Sequence, residues 1–463
     1  MKKGILFLSL SILAFTSFSQ KQTDQWRFGN NAALDFTSGT PVVVNGGAYS
    51  IPEGCASIAT GTGTLLFYTD GVTVWDTTHA AMPNGTGLTG DISSTQSALI
   101  VPSPSNVSQY YVFTTPADGG TNGFRYSMVD MTLHGGLGDV TTKNSLIVDS
   151  VTEKVSAVRD AAGTGYWVVC HRWGSNAFNA YHLTASGLSA ATVSHAGITY
   201  TTTAIQNTYG QMKFSACGSK LALAAGYLDT AEVFNFNIST GVVSNPVNIP
   251  MYSHVYGIEF SANSNLLYVS CYSTGGTLVQ FDISLSTTSA IIASYTPLSI
   301  TSDIYGLQMA SDGKIYVVKS FSQFLGVINS PDVAGAGCNY VDAGFDLDPH
   351  FVGNTSGLGL PGFMQSFLNT SISCSADGII ENVNDNAMGL IYPNPSANEF
   401  TFEFPNETIS SEITITDCTG RLIQQKNNVT SSFVFGENYD AGIYFVNVKN
   451  DTFVKVFRVV KVR

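Results

Sequence analysis

The chain carries little charge. Asp, Glu, Lys and Arg make up 11% of its 463 residues, against ~25% in ordinary soluble domains. Basic residues are the scarcer sign, 20 against 33, and the formal net charge is −13. Binding to a phosphate backbone depends on Lys and Arg releasing counterions, so nucleic acid is excluded as a partner class. The seven cysteines (55, 170, 217, 271, 338, 374 and 418) contain no CxxC pair, which counts against a zinc site or a thioredoxin-like motif. An odd number leaves room for both disulfides formed outside the cytosol and buried free thiols. After the N-terminus no run reaches the ~18 consecutive apolar residues of a membrane helix, so no integral span is expected. The seven histidines form no HExxH pair, and neither a GxSxG elbow nor a P-loop occurs. No catalytic constellation, metal set or cofactor motif is written in the chain.

What is plentiful is Gly (45), Phe (28) and Tyr (21), the composition of many short strands joined by tight turns. The fold class expected is all-β, and the length asks for more than one domain. Lys2 and Lys3, an apolar run from Ile5 to Phe15 and small residues at Ser17 and Ser19 form the three-part pattern of a secretory signal peptide, residues 1–19. No cysteine follows the cleavage point, so a lipid anchor is not expected there.

Residues 20–373 repeat. "YGQMKFSACGSKLALAAGYLDTAEVFNFNIS" begins at Tyr209, "YGIEFSANSNLLYVSCYSTGGTLVQFDIS" at Tyr256 and "YGLQMASDGKIYVVKS" at Tyr305. Weaker copies begin at Cys55, Ser97 and Val155. A period near 50 residues, built of strands, is the signature of a β-propeller. "WRFGNNAALDF" (26–36) and "GLPGFMQSFL" (359–368) remain at the two ends, and pairing them as strands closes a ring of seven blades; other assignments of the ends give six or eight. Two β-sandwiches would not repeat in this order. Cys170 and Cys271 end the second strands of units that lie apart on such a ring, too far for a disulfide. Asp70-Gly71 reads as a type I′ hairpin turn rather than a metal ligand.

Residues 374–389 read as a linker. Then "EFTFEF", "EITITD", "SFVFG", "GIYFVNVK" and "VKVFRVVK" give five alternating strands, enough for a small Ig-like sandwich at 390–463. Tyr392-Pro393-Asn394-Pro395, the turn carrying Gly420 and Arg421, Gly442 and Tyr444, and the terminal strand ending at Lys461 together resemble the type A C-terminal sorting domain of the Bacteroidota type IX secretion system. The resemblance implies that the machinery of that system is a partner, recognising this module at the outer membrane. It implies a product that is extracellular or attached to the cell surface. The body is similar to uncharacterised propeller-like regions of secreted proteins from the same phylum, through stretches such as "LLFYTDGVTVWD" and "SSTQSALIVP"; this implies no chemistry.

For a ligand site the sequence offers the loops after the second strands. His171, Arg172 and Trp173 in one loop, with Tyr227, Tyr272 and Phe321 at corresponding places, would gather on one face of the ring and suit a polar, uncharged ligand such as a glycan. The plainer reading has Trp173 capping its sheet and Arg172 in solvent. The function expected is an exported surface-binding or adhesion propeller. The alternatives are a polysaccharide hydrolase or lyase and a structural coat protein. Convergence of Glu53, Asp130, Glu153 and Glu259 on the axis would favour the enzyme.

Overall fold

The computed structural model describes residues 21–47, 50–272, 277–300, 303–350, 353–368, 390–394, 396–403, 411–417, 421–430, 432–449 and 454–462. The signal sequence, the linker, Pro395 and Gly420 lie outside the described residues. The chain divides into two compact units, Met1–Ile379 and Ile380–Arg463.

The first unit is a β-propeller. Its described residues form seven consecutive antiparallel sheets, each a simple meander. The first has three strands, Gln25–Phe28, Ala32–Asp35 and Val42–Val43. The other six have four each and open with Ala56–Ala59, Ala98–Ser103, Val151–Arg159, Met212–Phe214, Val255–Phe260 and Ile304–Met309. These six starts fall within a few residues of the repeat starts read from the sequence. Successive opening strands contact one another and line the axis. The "FDIS" motif at the end of third strands is a local device: Asp282 Oδ1 accepts from Ser284 N at 3.0 Å, and Asp76 and Asp130 hold Thr78 and Thr132 in the same way. A short polar side chain thus turns the chain back into the fourth strand.

Closure of the ring differs from the expected pairing. Residues 359–368 are not a strand; Gln365–Leu368 is a 3-10 turn. The preceding stretch slips between the opening strand of the seventh sheet and the entry to the second. Gly306 N donates to Leu358 O at 3.0 Å, Leu358 N to Pro52 O at 2.7 Å and Gly362 N to Cys55 O at 2.8 Å. A bridge Asn30↔Thr355 ties the same stretch to the first sheet. The fit needs glycine, because a Cβ on Gly357 would lie 2.2 Å from Pro52 O. The chain then crosses the far end of the axis. Phe363 packs with the first and seventh sheets, Met364 and Phe367 with the second to fourth, and Leu368 with the sixth and seventh.

The opening strands present unpaired backbone groups to the axis, and buried amides satisfy them. Gln96 Oε1 accepts from Met212 N at 2.8 Å and its Nε2 donates to Met212 O at 3.1 Å. Gln211 Oε1 accepts from Ile258 N at 3.2 Å and Leu307 N at 3.0 Å. Lys213 Nζ reaches Glu259 at 3.2 Å and also Gln308. The axis is filled there, not open.

Asp70 does sit in a hairpin turn, with one correction. Its Oδ1 accepts from Val72 N and Thr73 N at 2.8 and 2.7 Å, and of the pair only Gly71 has positive φ. This is an Asx turn in a longer loop, since type I′ needs both central residues left-handed. Cys55, Cys170, Cys271 and Cys338 are buried free thiols, whereas Cys217 is disulfide-bonded.

The second unit is a small sandwich. Leu390–Tyr392, Phe400–Glu403 and Phe433–Phe435 form one sheet; Leu422–Val429, Ser411–Asp417, Gly442–Lys449 and Val454–Lys461 form the other. Alternation along these strands buries Phe400, Phe402, Ile413, Ile415, Val446 and Val448 between them.

Candidate functional site

The loops after the second strands and the loops leading into the next sheet share one face of the propeller. In four sheets they are joined by backbone bonds: Trp173 N to Ser150 O at 3.0 Å, Met251 N to Asp229 O at 2.7 Å, Tyr272 N to His254 O at 3.0 Å and Ser320 N to Asp303 O at 2.9 Å. At the centre of this face the opening strands begin. A Tyr-Gly pair stands at the entry of three of them: Tyr209 three residues before Met212, and Tyr256 and Tyr305 at the second position of their strands. Glycine lets neighbouring strands close on the axis, for a Cβ on Gly257 would lie 2.3 Å from Tyr305 O. The tyrosine before it is thereby delivered to the mouth.

The rings form one connected group. Tyr227 stacks on His254 with centroids 3.8 Å apart and planes at 9°. Tyr272 stands 5.8 Å from His254, 5.9 Å from Tyr256 and 5.4 Å from Tyr305, and Tyr256 lies 5.1 Å from Tyr305. His254 Nδ1 is 2.7 Å from Asp229 Oδ1, which orients the imidazole. Tyr209 donates to Asp118 Oδ1 at 2.9 Å.

Beneath the rings lie two acids. The buried Tyr256 hydroxyl donates to Glu53 Oε1. Burial, with Glu153 and Asp91 nearby, pushes the Glu53 carboxyl up to about 8, so it holds its proton at neutral pH. Glu153 is fully buried and raised by that burial. Its oxygens accept from Thr95 N and Oγ1 at 2.8 Å, from Asp118 N at 2.9 Å and from Thr208 Oγ1 at 3.4 Å. With its acceptor positions occupied by protein donors, Glu153 braces the mouth and offers nothing to a substrate. Glu259 is paired with Lys213 deeper in the axis. Asp130 belongs to a third strand and holds Thr132 and Gln109. Of the four carboxylates considered from sequence, only Glu53 and Glu153 share a site.

The six residues placed in those loops from sequence separate likewise, and two of them are not in a loop: His171 and Arg172 end the second strand of their sheet, Tyr166–Arg172. Tyr227, 43% exposed, and Tyr272 join the mouth group. His171 is 1% exposed, wedged against Phe178 and Tyr200, and burial pushes its imidazole down to about 3. It belongs to the core and cannot meet a ligand from solution. Arg172 is spent on Asp149, donating to its backbone O at 2.6 Å and Oδ1 at 3.0 Å. Trp173 is half-buried against the core shared by the fourth and fifth sheets. Phe321 stands 61% exposed at φ +48° on its loop, outside the ring group. Sequence reading missed Tyr209, Tyr256, Tyr305 and His254. The repeated Tyr-Gly was the available signal, since equivalent positions in successive units must meet at the axis.

Among the described residues no group of His, Cys, Asp and Glu is placed to hold a metal, and no helix is long and apolar enough to cross a membrane. In the second unit Tyr392 donates to Glu403 at 2.6 Å, Arg421 Nε to Asp417 at 2.9 Å, and Tyr444 to Asp440 O at 2.9 Å.

The body and the terminal sandwich together define an exported propeller. Residues 390–462 match the family described as "Secretion system C-terminal sorting domain"; the chain is cargo of the type IX secretion system. Among solved structures, the chain is similar to a protein from Lactobacillus plantarum, with 14% identity over 73% of this chain and 98% of the other at a TM-score of 0.44. It is also similar to the Dos1 propeller (11% identity, 72% and 86% coverage, TM-score 0.41) and the Cps50 (Swd1) β-propeller domain of Myceliophteria thermophila (13%, 79% and 97%, TM-score 0.33). No curated protein matches the chain.

Proposed function

We propose that this cargo is a cell-surface recognition module whose propeller mouth holds a neutral, polyhydroxylated ligand, the end of a glycan chain. One observation carries the reading: Tyr227, His254, Tyr272, Tyr256 and Tyr305, from three adjacent sheets, form a continuous aromatic group over a carboxyl that keeps its proton. Aromatic faces pack on the C–H faces of sugar rings, and phenol, imidazole and carboxylic acid groups exchange hydrogen bonds with hydroxyls. Recognition suits this site better than hydrolysis, because paired-carboxylate chemistry needs a second acid facing the substrate. Glu153 faces protein donors instead.

The test is glycan-array binding by the purified mature protein beside Tyr272→Ala, Tyr227→Ala and Trp173→Ala. Selective binding lost in the two tyrosine variants and kept in Trp173→Ala is the expected result. Binding lost in Trp173→Ala alone would move the site to the fourth sheet, and release of shortened sugar from a bound polysaccharide would replace recognition by catalysis.

A further inference from the structure

The sorting domain begins and ends in one place. Asn394 Oδ1 accepts from Val460 N at 2.9 Å, Ser396 N donates to Val460 O at 3.0 Å, and Val462 N donates to Ser396 O at 2.9 Å. The segment that follows Tyr392-Pro393 is therefore zipped, in parallel, along the last strand, with Ser396 opposite Lys461. Lys461 is 6% exposed. Its ammonium donates to the main-chain carbonyls of Gly436, at 2.7 Å, of Glu437, at 3.4 Å, and of Asn398. Asn398 leads into one strand of the three-stranded sheet and Gly436-Glu437 leave another, whereas Lys461 ends the last strand of the four-stranded sheet.

Three donors meeting three carbonyls satisfy a buried ammonium in full. One side chain thus ties the terminal strand across the sandwich, at the spot where the opening turn of the domain is zipped to it. A buried lysine whose donors are all taken is not free to be read as a charge by another protein. We propose that Lys461 acts in export as a positioning residue: the secretion machinery reads the folded clasp that Tyr392, Asn394 and Ser396 form with residues 460–462, and the carbonyl cage around Lys461 holds that clasp shut. Tyr392 and Val462, 46% and 41% exposed, flank it as surface available for contact.

The proposal separates from two simpler accounts. If the machinery reads a positive charge near the C-terminus, Lys461→Arg is exported normally. If export needs only a folded domain, any variant of equal stability is exported equally. The experiment expresses the full chain in a cell with the type IX machinery and measures the exported fraction for wild type, Lys461→Met, Lys461→Arg and a core variant. The core variant is Val446→Ala or Val448→Ala, whichever matches the protease sensitivity of Lys461→Met. Three carbonyls converging on a single nitrogen match a compact ammonium and not the spread donors of a planar guanidinium, so both Lys461 variants should fall at least about tenfold in export while the matched core variant is exported. Normal export of Lys461→Met or Lys461→Arg, or an equal loss in the matched core variant, would overturn the proposal.

Discussion

Replacing Glu53 by Gln tests whether the mouth holds a protonated acid. In the folded chain this carboxyl is raised from 4.5 to about 8, first by burial. The sign follows from which state keeps the proton. Below pH 4.5 both folded and unfolded chains are protonated and the group does not affect stability. Between pH 4.5 and 8 the unfolded chain releases its proton and the folded chain does not, so stability falls across that window; above pH 8 the loss is complete. At 1.36 kcal/mol per pH unit the loss comes to about 3–5 kcal/mol. A body of roughly 350 residues, at about 2.1 cal/mol/K of unfolding entropy per residue, loses ~1.4 °C of midpoint per kcal/mol. Gln keeps a carbonyl for the Tyr256 hydroxyl and cannot ionise. Thermal unfolding of the full chain should therefore give midpoints within about a degree or two at pH 5, with the variant higher by ~4–7 °C at pH 9. Parallel curves across that range would refute the protonated acid and remove the main argument for a neutral ligand.

Two further substitutions test the axis and the core. Gln211→Ala orphans Ile258 N and Leu307 N, two buried donors on different sheets; at ~1–3 kcal/mol each it should lower stability by about 2–6 kcal/mol, read as a denaturation midpoint shift, and no shift would mean the axis is wetter than this packing allows. His171→Phe removes an imidazole whose two nitrogens are buried without a protein partner, so it should leave stability unchanged or raise it by ~1 kcal/mol and leave ligand binding intact. A loss above about 2 kcal/mol would reveal a structural water held by that ring.

The sequence by itself determined the all-β class and the period of the body, because tight turns, alternating strands and repeated units are local or regularly spaced features. The starts at Cys55, Ser97, Val155, Tyr209, Tyr256 and Tyr305 fall beside the opening strands for this reason. The terminal module was legible through its alternating strands and through the family resemblance that Tyr392-Pro393-Asn394, Gly442, Tyr444 and Lys461 carry. Tertiary structure alone decided three things. It made residues 359–368 a plug across the axis and not a strand, since the glycines at 357 and 359 let that segment slip between two sheets where any side chain would meet a carbonyl. It withdrew His171 and Arg172 from the candidate site, because both belong to the second strand of their sheet, where His171 packs into the core and Arg172 is held by Asp149. It assembled the mouth from Tyr227, His254, Tyr272, Tyr256 and Tyr305. Their meeting depends on the curvature of the ring, which no linear spacing encodes.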